Sequence, residues 1–474
     1  MSGKNDDALL AKTSFWYTIG NILSRAIVFL ATPIYIRFLT PTEYGLYSNF
    51  AAWMSMLTIV TTMNLQASIF KGRYEHEDNQ GGFLKAIYLV IVFVISVLLL
   101  FTLIFFNWIK SLSGLTKLEF VVLFVYLFTY SAFHIYTGKF RAAFEVKKYL
   151  LATSIHIVST VALSLLLMNL FPENRLLALI LGQVIPAFIM GTIFIILIFK
   201  ADGKIKYSYL RENAKLGIPM IPHLLGITAL NKLDRIMITQ MIGPAENAYY
   251  SVAGNVNSII AVISNSITNA FVPWLTKALE AKKRDIEAIK RNSFMYTLIF
   301  SYFVLAVMAL APEIIFVFGG REYAISLIAL IPLLIGSLFQ FIYTMYVNLE
   351  FYSRRTGATG IATGFVALVN VLLNYIFIPK YGFVAAAITT AFSYFLLYVI
   401  HYLIVKKIGM ADVFDTRKII ILIPIMIILS LVMWLLYKVR VVRYIVILIC
   451  AIISFIFLYK IRDKWIPFFK GGKK

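Results

Sequence analysis

Long apolar segments recur along almost the whole of this 474-residue chain, and they restrict its fold more than any other feature. A helix that crosses a bilayer needs about 20 mostly apolar residues, and the sequence offers fourteen such stretches. Only 14% of the residues are charged, against about a quarter in an ordinary globular domain. We therefore predict an all-α integral membrane protein with about 14 transmembrane helices. The predicted spans are residues 15–38, 46–69, 84–109, 118–137, 149–171, 176–199, 216–242, 248–274, 293–318, 324–348, 358–378, 383–405, 418–437 and 441–459.

Basic residues are distributed unevenly between the two ends of these spans. The side that includes both chain termini has 32 Lys and Arg residues in its loops and tails, whereas the other side has nine. Because basic residues remain cytoplasmic, the pattern predicts a multi-pass protein with both termini in the cytoplasm. Most of the net charge of +22 is then an orientation signal. Nucleic acid is not expected as a partner, since the basic residues form no compact patch.

Two short stretches of the sequence are copies of one another. LTPTEYGLYS begins at Leu39 and IGPAENAYYS begins at Ile242, and Pro, Glu, Tyr and Ser recur in them 203 residues apart. Each copy lies at the corner between the first and second span of a set of six. Since six is even, both sets have the same orientation, as in the parallel repeats of transporters. The predicted organisation is an N-lobe at 1–199, a basic linker at 200–215, a C-lobe at 216–407, and two extra spans with a basic tail at 408–474.

Four longer stretches resemble a known family of membrane proteins. TSFWYTIGNILSRAIVFLATPIYIRFLTPTEYGLYS resembles the N-terminal signature of bacterial polysaccharide-biosynthesis proteins, and LGIPMIPHLLGITALNKLDRIMITQMIGPAENAYYSVAG resembles the start of their second lobe. FGGREYAISLIALIPLLIGSLFQ and LLNYIFIPKYGFVAAAITTAFSY are similar to two later landmarks. These proteins are flippases of lipid-linked oligosaccharides, of the O-antigen, capsule and teichoic-acid exporter type. They belong to the multidrug/oligosaccharidyl-lipid/polysaccharide exporter superfamily.

The resemblance implies a fold, a location and a cargo. The fold is a V-shaped cavity between two six-helix lobes, and the location is the bacterial inner membrane. The implied cargo is an undecaprenyl-pyrophosphate glycan, moved with membrane lipids around it and with glycan polymerases or ligases as partners. Two spans beyond the common twelve occur in some flippases of lipid-linked precursors.

Once the basic residues at the span ends and in the loops are set aside, three remain deep inside the predicted spans, namely Arg25, Lys232 and Arg235, and Asp234 lies among them. Charges at this depth cost roughly 2.5–3.5 kcal/mol each on insertion scales, and they usually line a cavity or pair with each other. Three cations and one anion leave a positive cavity. Such a cavity suits the diphosphate of the implied cargo, because guanidinium groups bind phosphate through two parallel hydrogen bonds.

Two asparagines extend this cluster. Asn21 precedes Arg25 by four residues, as Asn231 precedes Arg235, so each pair shares a helix face. We expect a substrate site formed by Arg25, Lys232, Asp234, Arg235, Asn21 and Asn231. The alternative is an interlobe ion pair, such as Asp234 with Arg25, that holds one conformation. Counted from the corners at 1.5 Å per residue, Arg25 and Arg235 differ in depth by about 10 Å. They either bind the phosphates one after the other or are brought to the same depth by helix kinks.

Fewer expectations follow from the rest of the sequence. His223, beside Pro222, is either a packing residue or a gate or proton carrier. The basic segment 275–292 is expected to form one helix at the membrane surface. Spans 13 and 14 are almost wholly apolar, so they either face lipid or form a groove for the polyprenyl tail.

Transport is favoured over catalysis. The sequence has no nucleotide-binding Gly-rich loop, its single cysteine provides no metal cluster, and no cofactor is expected. A membrane polymerase or ligase is a rival function, which the short outer loops disfavour. A cation-coupled drug antiporter is a second rival, disfavoured by the excess of cations. Coupling to Na⁺ or H⁺ is left open.

Overall fold

The computed structural model describes residues 2–63, 65–218, 221–281, 285–354 and 356–449, together with Ile452 and Ile456. Over these residues the chain is helical almost throughout and forms no strand. Ten of the described helices are long and apolar enough to cross a membrane. The predicted fold class is therefore confirmed, and each of the fourteen predicted spans overlaps a helix.

The first lobe consists of six long helices and two short ones. In chain order they are α1 (Ser2–Phe38), α2 (Pro41–Thr62), α3 (Gln66–Glu75), α4 (Gln80–Ile104), α5 (Phe106–Ser113), α6 (Lys117–Ala142), α7 (Val146–Leu170) and α8 (Arg175–Lys200). The linker contains a helix of its own, α9 (Tyr207–Gly217).

The second lobe consists of six long helices. They are α10 (Ile221–Met241), α11 (Pro244–Glu280), α12 (Ile286–Gly319), α13 (Leu327–Tyr352), α14 (Thr356–Tyr381) and α15 (Phe383–Lys407). After it come α16 (Thr416–Leu436) and a helix that begins at residue 440 and is described to residue 449.

Three helix boundaries differ from the predictions. The predicted span 46–69 is two helices, because Met63 adopts a left-handed conformation (φ 47°) and ends α2. The predicted span 84–109 is interrupted at Phe105, between α4 and α5. The prediction of one surface helix at 275–292 is wrong, since α11 continues to Glu280 and α12 begins at Ile286.

The C-terminal helices are less purely lipid-facing than their composition indicated. Arg443, expected in an outer loop, is 1% exposed. Its guanidinium forms an ion pair with Glu313 of α12, whose carboxylate also accepts a hydrogen bond from Tyr444 at 2.6 Å. The hydroxyl of Tyr437 donates to the Met308 carbonyl at 2.7 Å. These contacts anchor the last two helices to the C-lobe through polar groups.

The repeated corner forms because both copies start a helix in the same way. Pro41 and Pro244 are the first residues of α2 and α11, where proline is favoured because its missing N–H needs no partner there. Thr40 caps α2 and exchanges hydrogen bonds with Glu43. Below, the membrane side that contains these corners is called the corner side, and the side that contains residues 201–206 is called the linker side.

Each lobe has its own hydrophobic core, and the lobes meet at the corner side. The N-lobe core involves α4, α6 and α8, whereas the C-lobe core continues onto the end of α1 through Ala31, Tyr35 and Ile36. Helix α2 packs along both α10 and α11. Phe29 of α1 contacts Phe318 of α12 edge-to-face, with ring centroids 5.0 Å apart. The lobe interface is thus built from the first two helices of each lobe, with α12 beside them.

Candidate functional site

The two copies of the repeated corner contact each other. The hydroxyl oxygens of Ser48 and Ser251, which are counterparts in the repeat, lie 2.5 Å apart and are buried. Asn247 donates to the carbonyl of Gly45 at 2.8 Å. These contacts close the space between the lobes on the corner side.

Two further hydrogen bonds cross between the lobes on this side. Asn255 donates to the hydroxyl of Tyr44 at 2.7 Å. The guanidinium of Arg37, at the end of α1, donates to the carbonyl of Val317 at 2.9 Å. Helices from both lobes must therefore separate, with loss of these bonds, before the corner side can open.

Two cavities lie between the lobes, farther from the corners. One, of about 670 Å³, is bounded by α1, α7 and α11. The other, of about 440 Å³, is bounded by α2, α6 and α10, and polar groups line much of it. Its polar lining residues are Ser55, Thr58, Thr62, Tyr126, Tyr130 and His134. Both volumes fall within the roughly 300–1,000 Å³ that is typical of ligand sites.

Arg25 lies on the wall of the larger cavity. Its side chain is exposed, and Asn255 of the other lobe lines the same space. Among the described residues no carboxylate forms an ion pair with Arg25. Its positive charge is therefore available to an anion that enters between the lobes.

Lys232 and Arg235 lie on α10 and outside the described lining of that cavity. Both are partly buried, and neither forms an ion pair within the described part of the chain. One nitrogen of the Arg235 guanidinium is 3.4 Å from the Ser48 hydroxyl across the lobe interface. A Cβ on Gly254 would lie 3.0 Å from the other nitrogen, so the guanidinium lies directly against the backbone of α11. The three cations thus occupy two positions along the interface.

Asp234 is not part of this cationic surface. It is 2% exposed and lies inside the C-lobe. Its carboxylate accepts hydrogen bonds from Tyr250 at 2.5 Å, Thr390 at 2.8 Å and Asn374 at 2.7 Å. Among the described residues Asp234 forms no ion pair with Arg25, which was the alternative to a substrate site. Asp234 instead joins α10, α11, α14 and α15, which argues against a direct contact with cargo.

The remaining predicted site residues are only partly described. Asn231 donates to the Ile227 carbonyl at 2.8 Å and accepts from the hydroxyl of Tyr394 at 3.0 Å. Its described hydrogen bonds are therefore both within the C-lobe, and the second joins α10 to α15. The side chains of Asn21 and His223 lie outside the described residues.

Sequence reasoning missed the polar groups whose partners are distant in the chain. Asn374 and Thr390 give no signal of their own, but Tyr250 recurs in the repeat as Tyr47. In the N-lobe, the Tyr47 hydroxyl accepts a hydrogen bond from Gln183 of α8. The repeated tyrosine thus bonds within its own lobe in both halves, while the repeated serine bonds between the lobes.

Two six-helix bundles that meet at a polar interface, closed at one end and hollow toward the other, form the architecture of a class of membrane transporters. Solved transporter structures share this fold. A lipid II flippase, MurJ, in an inward closed conformation superposes with a TM-score of 0.69 at 17% identity, covering 94% of this chain and 99% of that one. An inward-facing multidrug resistance MATE transporter of the MOP superfamily superposes with a TM-score of 0.62 at 15% identity, covering 82% and 95%.

Sequence comparison narrows the class to a family. The model of the family described as "Polysaccharide biosynthesis protein" matches residues 10–279, and the MatE model matches residues 219–379. A probable low-salt glycan biosynthesis flippase, Agl15 of Haloferax volcanii, is 22% identical over 401 residues, which are 83% of this chain and 82% of that protein. The chain belongs to the polysaccharide biosynthesis protein family, within the superfamily that also contains the multidrug exporters.

Proposed function

We propose that the protein is a flippase that moves a polyprenyl-pyrophosphate-linked oligosaccharide from the cytoplasmic to the outer leaflet for cell-surface polysaccharide synthesis. The 32 basic residues expected on the linker side support a cytoplasmic location for that side. The corner side then faces outward, and both termini are cytoplasmic. The membrane is the bacterial inner membrane, and cargo such as an O-antigen or capsule unit carries undecaprenyl pyrophosphate.

The observation that supports this proposal most is Arg25, which is exposed on the wall of the larger interlobe cavity and forms no ion pair with any residue that the structure describes. A diphosphate presents several oxygens to a guanidinium, which binds them in a planar, two-pronged geometry. Lys232 and Arg235 add positive charge closer to the corner. The cations therefore form a path along which the phosphates exchange one counter-charge for the next.

The sugars need a polar surface that carries no fixed charge. The smaller cavity offers hydroxyl groups on α2 and α6, beside the lobe interface. Because the corners are closed by interlobe hydrogen bonds, cargo enters this conformation from the linker side. Opening of the corners, with closure of the linker side, completes an alternating-access cycle.

The membrane potential provides a driving force for such a cycle. It is worth about 2.3 kcal/mol per elementary charge per 100 mV. An inside-negative potential moves an anionic headgroup outward and returns an empty, positive cavity inward. Both half-cycles therefore proceed in the productive direction without nucleotide hydrolysis, and the protein acts as a transporter rather than as an enzyme.

The MatE match raises drug antiport as a second candidate. Cationic drugs need an anionic cavity, however. Asp234, the anion nearest the described cations in sequence, has its carboxylate enclosed within the C-lobe by Tyr250, Thr390 and Asn374. The chemistry of the interface therefore favours an anionic cargo.

Substitution of the cavity arginines tests the proposal. Arg25→Ala and Arg235→Ala should each abolish surface glycan and cause lipid-linked glycan to accumulate in the cytoplasmic leaflet, while the protein still inserts. Arg235→Lys should restore export only partly, because a lysine keeps the charge but loses the two-pronged geometry. Arg321→Ala is the control, since this exposed arginine lies on the corner side away from both cavities. Normal export by both alanine variants would end the assignment.

A further inference from the structure

A carboxylate and an imidazole meet inside the C-lobe. Glu350 is on α13 and His401 is on α15, and Nδ1 of His401 lies 2.7 Å from Oε1 of Glu350. Both side chains are 0% exposed. The hydroxyl of Thr359, on α14, donates to the other carboxylate oxygen at 2.6 Å. Three helices thus enclose a pair of titratable groups that lines neither of the two described cavities.

The pair lies close to the linker side of the membrane. Glu350 is two residues before the end of α13 at Tyr352, and His401 is six residues before the end of α15 at Lys407. At 1.5 Å per residue, the two groups are about 3 Å and 9 Å inside their helix ends. A proton from the linker side therefore has a short path to the pair, whereas the corner side is most of a helix length away.

Aromatic rings surround the pair. The ring of Tyr343 stacks on the imidazole at 5.6 Å, and Tyr394 stacks on Tyr343 at 6.0 Å. In the described part of the chain no third charged group forms an ion pair with Glu350 or His401. The other titratable groups on or beside the helices and turn packed nearby are Tyr346, Tyr352 and Arg354 with α13, Tyr375, Lys380 and Tyr381 on α14, Tyr398, Tyr402 and the exposed Lys406 and Lys407 on α15, the exposed Asp412, Arg417 and the mutually paired Asp415 and Lys418 around the start of α16, and Lys232, Asp234 and Arg235 on α10.

One polar atom of the pair has no hydrogen-bond partner in the part of the chain that the structure describes. Since Nδ1 is directed at Glu350, the other ring nitrogen of His401, Nε2, is left without a hydrogen bond among the described residues. Buried polar atoms are normally satisfied, so an exception in a fully enclosed side chain calls for an explanation. A histidine that takes up and releases a proton would explain this exception, because its Nε2 must be able to act as an acceptor in one state and as a donor in the other.

Charge balance determines which state the enclosure favours. A buried carboxylate without a counter-charge is strongly disfavoured. The neutral state has one proton shared by the two groups, either as carboxylate with imidazolium or as carboxylic acid with imidazole. Loss of that proton leaves one net negative charge in a space that is closed to water, and the charge becomes tolerable only when water enters.

We propose that Glu350 and His401 form a proton-binding site of the C-lobe, loaded from the linker side and emptied when water reaches the pair during the transport cycle. On loading, one proton from water adds to the pair and its net charge changes from −1 to 0. On release, the same proton returns to water. The link to cargo movement rests on the proposed function, but the proton site itself does not.

Infrared difference spectroscopy on the purified full-length protein tests the site. A step from mildly acidic to mildly alkaline buffer should give carboxyl and imidazole difference bands that are lost in Glu350→Gln and in His401→Gln. Glu212→Gln is the matched control, because it removes the carboxylate from the second His–Glu contact among the described residues, that of His76 with Glu212 at 3.1 Å, which is partly exposed on the linker side. Its spectrum should keep the bands of the buried pair. Superimposable carboxyl regions for wild type and Glu350→Gln would overturn the proposal.

A second variant guards against a folding defect. Thr359→Val removes one hydrogen bond from the Glu350 carboxylate but leaves the acid in place. The carboxyl band should therefore shift in frequency without disappearing. An unchanged band position would show that the titrating carboxyl is not Glu350.

Export measurements separate this proposal from the proposed function. In membrane vesicles, a potassium–proton exchanger that collapses only the pH gradient should slow glycan export by the wild type and leave the residual export of Glu350→Gln unchanged. An equal response of both proteins would refute the coupling. Absence of glycan export by the wild type under every condition would refute the proposed function, while the infrared result would still stand.

Discussion

Gly45 is the position where the structure makes the sharpest prediction. A Cβ at this residue would lie 1.6 Å from the carbonyl oxygen of Pro244, whereas ordinary contacts begin at 3.4 Å. In Gly45→Ala the two corners must therefore separate by about 1.8 Å, which is the difference between these distances. Neither atom belongs to a flexible side chain, so the strain cannot be relieved by a rotamer change. We expect the substitution to favour the state that is open on the corner side.

Disulfide formation across the interface measures this shift. Ser48→Cys and Ser251→Cys place two thiols where hydroxyl oxygens are 2.5 Å apart, and Cys450→Ser removes the single native cysteine. Between α2 and α11, the helices that Gly45→Ala forces apart, two hydrogen bonds then remain, those of Asn247 with Gly45 and of Asn255 with Tyr44. At about 0.5–1.5 kcal/mol each, their loss is worth about 1–3 kcal/mol, or roughly a 5- to 150-fold change in the closed population.

The expected result is a slower cross-link in Gly45→Ala by a factor in that range. Gly364→Ala is the control, because a Cβ at Gly364 meets no atom within 4 Å, and its cross-linking rate should equal that of the parent. Equal rates in Gly45→Ala and in the parent, with both proteins folded, would refute the argument that this glycine permits closure.

Three smaller predictions concern stability in detergent, read from the apparent midpoint of thermal unfolding or from proteolysis. Asp234→Asn should destabilise the C-lobe by about 1–3 kcal/mol, because the amide turns a donor toward groups that themselves donate. Arg443→Met leaves Glu313 without its cation, so proteolysis should release the C-terminal helices sooner, whereas parallel digestion of both proteins would contradict the role of this ion pair. The pKa of Asp415 is lowered, first by the hydrogen bond from the Lys418 side chain, so its small stabilising effect is present above the ordinary aspartate range and is lost as the pH falls below it. In Asp415→Asn, this contribution to the fall of the apparent unfolding midpoint at acid pH should be absent.

That each apolar segment contains a helix could be predicted from the sequence, because the length of an apolar segment is a local property. The residues at which helices end inside apolar segments could not be predicted. Met63 ends α2 by adopting a left-handed conformation that its residue type does not announce, and Phe105 interrupts a run that is apolar on both sides. Neither break has a glycine or proline in the neighbouring residues that would predict it.

In the candidate site, too, some features could be predicted from local sequence and others could not. Arg25 could be found by elimination, as one of three basic residues left inside the spans. The surroundings of Asp234 could not, because its three donors are 16, 140 and 156 residues away in sequence. Glu350 was missed because it lies two residues beyond the predicted end of its span, and a single histidine such as His401 does not reveal its partner.

The contact between Ser48 and Ser251 also bears on the origin of the protein. Equivalent residues of two repeats touch each other only near the rotation axis that relates the repeats, as they do in a symmetric dimer. An ancestral half-length chain with six spans would have had both ends on one membrane side, and two copies could have paired through this same serine. Tandem duplication would then have needed only a short connection on that side. Asn247 and Ala248 stand where the first half has Tyr44 and Gly45, and they mark where the two halves have since diverged.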